Sequence, residues 1–283
     1  KGSTPDVGGP PATSPHAACA KQPRGGACRN RHCIGSETCP NLNTSHDDYL
    51  KLLREIRSVK GVKKVFVRSG LRYDYVLADH NKAFVKELCQ YHVSGQLKVA
   101  PEHVVKHVTD LMGKADVHAF LKFKDWFDEA NRELGKKQYL VPYFMSSHPG
   151  CTLKDAVALA EFLRDMHMQP EQVQDFIPTP GSLSTAMYYT GLNPLTGEKV
   201  YVARRPEEKQ MQRALMQYKN PANYDIVYKA LCLAGRRDLI GYGPKCLIAP
   251  RRHQAGRRPD KAGRHAAPPH RQGRGPAKTR KFR

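Results

Sequence analysis

The sequence predicts an α/β protein with parallel strands. Extended, β-branched segments alternate with segments whose apolar residues recur at helical spacing, over roughly residues 46–185. Strands separated by helices at this spacing form right-handed βαβ units, and such units build a parallel sheet. The chain has 283 residues, of which 40% are apolar, so its core can be sizeable and it is long enough for one large or two modest domains.

The segment after the cysteine-rich stretch is predicted to form a helix, a strand and a second helix. Thr44 and Asp47 resemble a capping box, and the apolar residues that follow recur at near-helical spacing until Gly61 ends the helix. The β-branched run at 62–67 predicts a strand. At 81–92 the apolar residues share one face, which predicts the second helix.

The middle of the chain predicts two further strands on either side of a pair of helices. A strand is expected at 96–100, followed by helices at 102–112 and 117–134, and Gly135 ends the second of these. The apolar and aromatic run at 139–145 then predicts a buried strand.

The last predicted βα unit is followed by a change of pattern. Thr152 and Asp155 cap an apolar helical segment, and a fourth strand is expected at 173–177. Farther on, two helices are predicted to begin near Pro206 and Pro221. This part is interpreted as a small helical extension of the α/β unit.

The net charge of +21 is unevenly distributed. Residues 251–283 hold 12 of the 47 Lys and Arg residues but one of the 26 acidic residues, and Phe282 is their only large apolar side chain. A segment of this composition cannot bury a core, so a disordered basic tail is predicted. The charge excludes an acidic tail protein and makes RNA a candidate partner of the tail.

The chain carries no sign of a membrane segment. It contains no run of about 18 apolar residues, and its first residues lack the basic and apolar parts of a signal peptide. A soluble, cytoplasmic protein without membrane contact is therefore predicted. Because the chain begins at Lys1 rather than Met, we expect an upstream part to precede it.

Four of the eight cysteines are clustered and suggest a metal site. Cys19, Cys28, Cys33 and Cys39 are separated by eight, four and five residues. This spacing differs from the paired CxxC knuckles of structural zinc, whereas irregular loops of four thiolates suit iron–sulfur clusters. An iron–sulfur cluster, a zinc ion and unligated thiols remain alternatives at this point.

Polar residues and Gly or Pro follow each predicted strand. The segments are 68–74, 98–103, 146–150 and 174–181. Each could be a turn by itself, but the carboxyl ends of parallel strands share one edge, where binding sites of such sheets are found. The sequence therefore predicts a polar ligand site at this edge.

Several long segments resemble one known family. They are Gly8-Gly9-Pro10, Cys39-Pro-Asn-Leu, GVKKVFVRSGLRYDY, YHVSGQLKVAPEHV, GKKQYLVPYFMSSHPG and QVQDFIPTPGSLSTAMYYTG. Together they resemble the YgiQ-like family of radical S-adenosylmethionine (SAM) proteins, from about Asp6 to Pro250. The resemblance does not cover the basic tail.

The resemblance implies a (β/α)6 barrel in which a [4Fe-4S] cluster reduces SAM and releases a 5′-deoxyadenosyl radical. The CxxxCxxC loop that holds this cluster in the family is absent from the chain and is expected upstream of Gly8, so the barrel here is partial and lacks its first strands. The full-length protein would be an enzyme acting on an unknown substrate with an electron donor such as flavodoxin or ferredoxin. This chain alone is expected to be inactive.

The resemblance also implies roles for individual residues. Gly8 and Gly9 resemble the motif that binds the methionyl amine of SAM, although Pro10 stands where the family often has Glu. Lys98 and Glu102 resemble positions near the carboxylate and ribose of the cofactor. The loop near the adenine is represented by His148 and Gly150, and weaker candidates on the same rim are Ser69, Arg72 and Gln174.

The family comparison gives a domain organisation and leaves two alternative functions. Residues 1–45 would hold the end of the second barrel strand and the cysteine loop, which aligns with a cysteine set of the family and could bind an auxiliary cluster. Residues 46–185 would form βα units, 186–250 the helical extension and 251–283 the tail. The alternatives are an RNA-binding module that acts through the tail and a zinc-stabilised, non-enzymatic module.

Overall fold

The computed structural model describes residues 2–8, 19–26, 28, 33–34, 38–170 and 173–251. The chain divides into two units, residues 1–250 and residues 251–283. Because only Arg251 of the second unit is described, the account below concerns the first. The predicted disordered tail lies outside the described residues from 252 onward, and so does Gly9.

Five strands are described. They are β1 (Gly2–Thr4), β2 (Val62–Val65), β3 (Gln96–Glu102), β4 (Tyr139–Ser146) and β5 (Gln174–Asp175).

Ten α-helices lie between and after these strands. They are α1 (Gln22–Gly25), α2 (Asp47–Ser58), α3 (Tyr73–Ala78), α4 (Lys82–Glu87), α5 (Lys106–Met112), α6 (Val117–Glu133), α7 (Leu153–Asp165), α8 (Leu183–Thr190), α9 (Pro206–Met216) and α10 (Tyr224–Leu233). A π-helical turn, Leu88–His92, continues α4.

All strand pairs among the described residues are parallel, as predicted. β1 pairs with β2, and β3, β4 and β5 form a second sheet in that order. A single parallel bridge between Leu71 and Val99 joins the end of β2 to β3. The described strands therefore form a mixed α/β fold with parallel sheets, but they do not close into a barrel.

The helices cover one face of the sheets. Leu97 and Val99 of β3 are fully buried and belong to one apolar cluster with Phe120 and neighbouring aromatic residues of α6. Side chains alternate between the two faces of a strand, so Lys98 lies on the face opposite this core. Val65 of β2 and Val67, which follows β2, belong to the same apolar cluster as Leu97 and Val99.

A second apolar cluster joins the C-terminal helices to α7. Val157 and Ala160 of α7 pack with Leu215 of α9 and with Val227 and Leu231 of α10, and all five side chains are fully buried. The predicted helical extension therefore shares its core with the last βα unit. The proposed boundary between residues 185 and 186 stays a prediction.

Several sequence predictions are corrected at the ends of elements. No capping box forms at Thr44, because His46 is the N-cap of α2 and Asp47 instead accepts a hydrogen bond from Ser45 Oγ at 3.0 Å. The helix expected from Glu102 begins at Lys106, because β3 extends through Glu102. The Thr152–Asp155 capping box is confirmed by reciprocal hydrogen bonds.

Two helices and the length of the last strand escaped prediction. The segment 68–74 was expected to form a polar rim, but α3 begins within it at Tyr73, and α8 was not predicted. The strand expected at 173–177 is reduced to β5, and Ile177 beyond it is 74% exposed. Pro178 has no backbone N–H to donate to a neighbouring strand, which favours an early end of the strand.

Candidate functional site

The ends of β1 and β2 meet through the carboxylate of Asp6. Asp6 Oδ1 accepts hydrogen bonds from the backbone N–H groups of Arg68 (2.8 Å) and Ser69 (3.2 Å), and Oδ2 accepts one from Ser69 Oγ. Burial alone would raise the pKa of Asp6, but these hydrogen bonds outweigh it and lower the pKa. The carboxylate is thus held ionised, and it fixes the loop after β2.

Gly8 lies against this loop. A Cβ atom placed at Gly8 would lie 3.3 Å from Ser69 Oγ and 3.4 Å from Val67 Cγ1, tighter than most such contacts. The preceding residue is also held, because Tyr49 Oη donates a hydrogen bond of 2.5 Å to the Val7 carbonyl. A larger residue at position 8 would push the two strand ends apart, so the site favours glycine and an accessible backbone.

The end of β3 carries an irregular backbone at Glu102. Its φ is +65°, a conformation that costs a non-glycine residue free energy and is commonest at functional positions. The register with β4 shifts between Val99 and Glu102, which indicates a bulge that re-aims the side chain. Lys114 Nζ lies 3.5 Å from Glu102 Oε1 and donates to the Ala100 carbonyl at 3.1 Å.

Among the described residues, the cation that contacts Glu102 is Lys114 and not Lys98. Burial raises the pKa of Glu102 and the charge of Lys114 opposes this rise, but the net direction is upward. Lys98, four residues before, lies on the exposed face with its ammonium 5.9 Å from the centre of the Tyr143 ring. The two predicted site residues, Lys98 and Glu102, therefore contact different groups.

The end of β4 is braced by α9. Ser147 has a φ of +62°, and its backbone N–H donates to Gln212 Oε1 at 3.0 Å. Gln212 Nε2 in turn donates to the Cys151 carbonyl at 3.0 Å, and the Gln212 side chain is fully buried. One amide from the C-terminal helices thus fixes both ends of the Ser-Ser-His-Pro-Gly loop.

His148 is buried within this loop. Its Nδ1 lies 2.7 Å from the Pro149 carbonyl and its Nε2 lies 2.8 Å from Ser184 Oγ. Since a carbonyl can only accept, Nδ1 carries the proton and Nε2 accepts from the serine hydroxyl. Burial lowers the pKa of His148 to about 4, so the ring is neutral near pH 7.

A neighbouring histidine contacts a cysteine without activating it. His103 Nδ1 accepts the Val105 N–H at 3.1 Å, so the proton of the neutral ring is on Nε2, which lies 3.5 Å from Cys151 Sγ. Burial lowers the pKa of His103 to about 4 and raises that of Cys151. A thiol that faces an N–H and has a raised pKa is a poor nucleophile, so this pair is structural.

Gly150 is required by its backbone and by a close neighbour. Its φ is +92°, and a Cβ atom there would lie 2.3 Å from Leu111 Cδ1 of α5. Its N–H donates to the Tyr201 carbonyl at 2.7 Å. The sequence interpretation of Gly150 as a cofactor position is thus accompanied by a strong packing role.

The end of β5 adds a third carboxylate to the strand ends. Asp175 accepts a hydrogen bond from Ser146 Oγ of β4 and lies 3.4 Å from Arg213 Nη1 of α9. The predicted site residue beside it, Gln174, is exposed and pairs with Met145 in the sheet. Arg72, another rim candidate, is engaged by Asp74 in two hydrogen bonds of 2.7 and 2.9 Å.

The four clustered cysteines differ in their exposure to solvent. Cys28 and Cys33 are exposed, whereas Cys19 and Cys39 are half-buried. Within the described residues, no group of three or more His, Cys, Asp or Glu side chains is placed to hold a metal ion. The present arrangement does not fit a four-thiolate site, and the metal assignment of these cysteines stays a prediction.

Comparisons with known proteins identify sequences that this chain resembles. A family model described as a domain of unknown function, DUF3362, matches residues 171–282. A UPF0313 protein of Clostridium perfringens strain 13 is 58% identical over 248 residues, which is 88% of this chain and 38% of that protein. The chain is a homologue of the UPF0313 proteins.

Other UPF0313 proteins match over the same extent. The relative from Methanocella arvoryzae is 55% identical over 250 residues, and one from Clostridium botulinum strain 657 is 54% identical over 248 residues. These matches cover 88% of the chain and 41% and 39% of the respective relatives. The chain thus spans about two fifths of the length of its UPF0313 relatives.

The structure also adds residues that the sequence interpretation missed. Asp6 and Gln212 hold strand ends in place, and neither was a predicted site residue. Asp6 offered a signal, because Asp side chains often hydrogen-bond to backbone groups in turns. In the part of the chain that the structure describes, no helix is long and apolar enough to cross a membrane.

Proposed function

We propose that this chain is part of a radical SAM enzyme and contributes the strand ends that bind SAM. The supporting observation is the meeting of Asp6, Gly8 and Ser69, since Asp6 and Ser69 are 63 residues apart in the chain and are joined by hydrogen bonds. Gly8 and Ser69 are two positions at which the sequence resembles the cofactor-binding residues of the YgiQ-like family. Both lie at the carboxyl ends of parallel strands, the usual place for ligands in such sheets.

The chemistry of these residues suits SAM. Backbone groups beside Gly8 are accessible to the methionyl amine, because no Cβ covers them. The Glu102 carboxyl group can accept hydrogen bonds from ribose hydroxyls, and the Lys98 ammonium can bind a carboxylate. When bound, SAM would supply the radical chemistry, while these residues would bind and orient it.

The catalytic cluster is assigned to the longer proteins and to no residue described here. The sequence contains no CxxxCxxC spacing, and the described thiols do not converge. The Asp6 carboxylate and the neutral His148 ring are therefore given positioning roles. Asp6 holds the loop after β2, and His148 holds the loop after β4 through Ser184.

Gly8→Ala is expected to weaken SAM binding by about tenfold, which corresponds to a loss of roughly 1.4 kcal/mol in binding free energy. The added methyl group would crowd Ser69 and shift a backbone group that hydrogen-bonds to the ligand. Equilibrium dialysis of radiolabelled SAM against the purified chain measures this. Gly70→Ala is the matched control, because a Cβ at Gly70 meets nothing within 4 Å. Equal affinity in the wild type and both variants would remove Gly8 from the site.

The activity of the whole protein is tested on the longer UPF0313 relative of Clostridium perfringens. After anaerobic reconstitution with iron and sulfide, addition of dithionite and SAM is expected to yield 5′-deoxyadenosine, measured by liquid chromatography. Protein reconstituted with zinc instead is the control and should yield none. A protein that takes up iron and sulfide and binds SAM but forms no 5′-deoxyadenosine would contradict the proposed reaction.

A further inference from the structure

The face of the sheets that lies opposite the helices is basic and aromatic. Val65, Val67, Leu97 and Val99 point into the apolar core, so the alternating residues of β2 and β3 and of the segment after β2 lie on the other face. We call this the open face; its charged and aromatic members are Lys64, Phe66, Arg68, Lys98, Tyr139 and Tyr143. Lys98 and Val141 are register partners, which places Tyr139 and Tyr143 on the same side of β4.

The cations of the open face have aromatic neighbours, and Arg68 also interacts electrostatically with the Asp6 carboxylate. The Arg68 guanidinium lies 5.9 Å from the centre of the Phe66 ring, and the Lys98 ammonium lies 5.9 Å from that of Tyr143. Among the described residues, none of the ion pairs involves Lys64, Arg68 or Lys98. At the strand ends, Asp6 is bound by Ser69 and Glu102 by Lys114.

Part of the open face is a cavity. Gln96, Lys98, Tyr139, Tyr143, Met168 and Gln169 line a volume of about 550 Å³. This lies within the range of about 300–1,000 Å³ that small-ligand sites occupy. Tyr139 is 64% exposed, so a ring face is available at its edge.

These features fit one class of ligand. A phosphate group can pair with the ammonium and guanidinium groups, and a base can stack on a tyrosine ring, which is the usual way that proteins hold single-stranded nucleic acid without reading its sequence. The open face carries three cations, Lys64, Arg68 and Lys98. SAM has one carboxylate to pair with a cation, and its positive sulfonium repels cations, so three cations are more than SAM requires. We propose that the open face binds a phosphate-bearing nucleotide, either free or as a unit of a single strand.

This inference names the class of substrate for the proposed enzyme and relies on that function only for the reaction. Lys98 belongs to both proposed sites, but nucleotide binding is measured without SAM and without a cluster, so the two proposals can fail separately. The basic tail could bind RNA as well, so the test keeps the tail constant. It compares full-length variants that have lost equal charge in different places.

The expected result is a loss of affinity that depends on position. A fluorescein-labelled 12-nucleotide RNA is titrated with the chain, and anisotropy is followed at several salt concentrations. Replacing Lys64, Arg68 and Lys98 by Ala should weaken binding at least about tenfold and reduce the slope of log K against log salt by roughly 2. Replacing Lys86, Lys106 and Lys124 by Ala removes the same charge from helix surfaces and should change affinity less than about threefold.

Two further measurements identify the source of the nucleotide and test the role of the Tyr143 ring. Displacement of the RNA by millimolar adenosine monophosphate would indicate a site for free nucleotides, whereas displacement by unlabelled RNA alone would indicate a strand. Tyr143→Leu should weaken binding by about tenfold and Tyr143→Phe should not, because stacking needs the ring and not its hydroxyl. Equal weakening by the two triple variants would overturn the proposal, since net charge or the tail would then carry the binding.

Discussion

Acidification from about pH 7.5 to about pH 5 is expected to lower the free energy of unfolding by about 4 kcal/mol, through His103 and His148. Burial lowers the pKa of each ring from 6.5 to about 4 in the folded protein. Below pH 6.5 the two histidines bind protons in the unfolded chain, whereas in the folded chain they stay neutral until the pH approaches 4. The stability is therefore complete above pH 6.5 and is lost progressively as the pH falls toward 4.

The surroundings of the two histidines explain why they stay neutral. His103 is 1% exposed and His148 is 3% exposed. The Asp155 carboxylate favours protonation of His103, but burial and the nearby rings of His107 and His148 oppose it. His92, which is fully buried and has a pKa lowered mainly by burial, adds to the same trend.

Urea unfolding at the two pH values measures this dependence. His148→Asn should lose about half of the difference, because each histidine contributes about 2 kcal/mol over this interval. His118→Gln is the control, since the His118 side chain is 87% exposed and its replacement should leave the difference unchanged. A wild-type chain that is equally stable at both pH values would show that these rings are accessible to protons when folded.

Gln212→Leu is expected to destabilise the fold by about 2–5 kcal/mol, because it leaves two buried backbone groups without partners. Gln212 is fully buried and bonds to the Ser147 N–H and the Cys151 carbonyl, both at 3.0 Å. Leucine has a similar volume, so a cavity contributes little to the loss. The Ser147 backbone, already held at a φ of +62°, would lose the bond that keeps it there.

Thermal and urea unfolding of Gln212→Leu and Gln210→Leu separate this effect from a general one. Gln210 lies on the same helix and is exposed, so its substitution should change stability by less than about 0.5 kcal/mol. Equal stability of the two leucine variants would mean that the brace between α9 and the end of β4 does not contribute.

The regular elements could be predicted because their signals are local. The apolar faces of α2, α6 and α7 follow the helical period, and the strand at Tyr139–Ser146 is marked by a continuous apolar run. The end of β5 and the helices α3 and α8 were missed because polar residues, prolines and short lengths weaken those signals. The candidate site was predicted in part, since Gly8 and Ser69 lie together whereas Lys98 and Glu102 do not share one partner.

The sequence by itself determined the parallel α/β class, the order of the elements and the placement of polar residues at the strand ends. These features follow from the spacing of apolar residues and from Gly and Pro at the ends of elements, which are signals between neighbouring positions. Only the tertiary structure decided which groups meet. Asp6 reaches Ser69, Gln212 reaches Ser147, and His148 reaches Ser184. These contacts join residues distant in the chain, and burial lowers the pKa of His103 and His148.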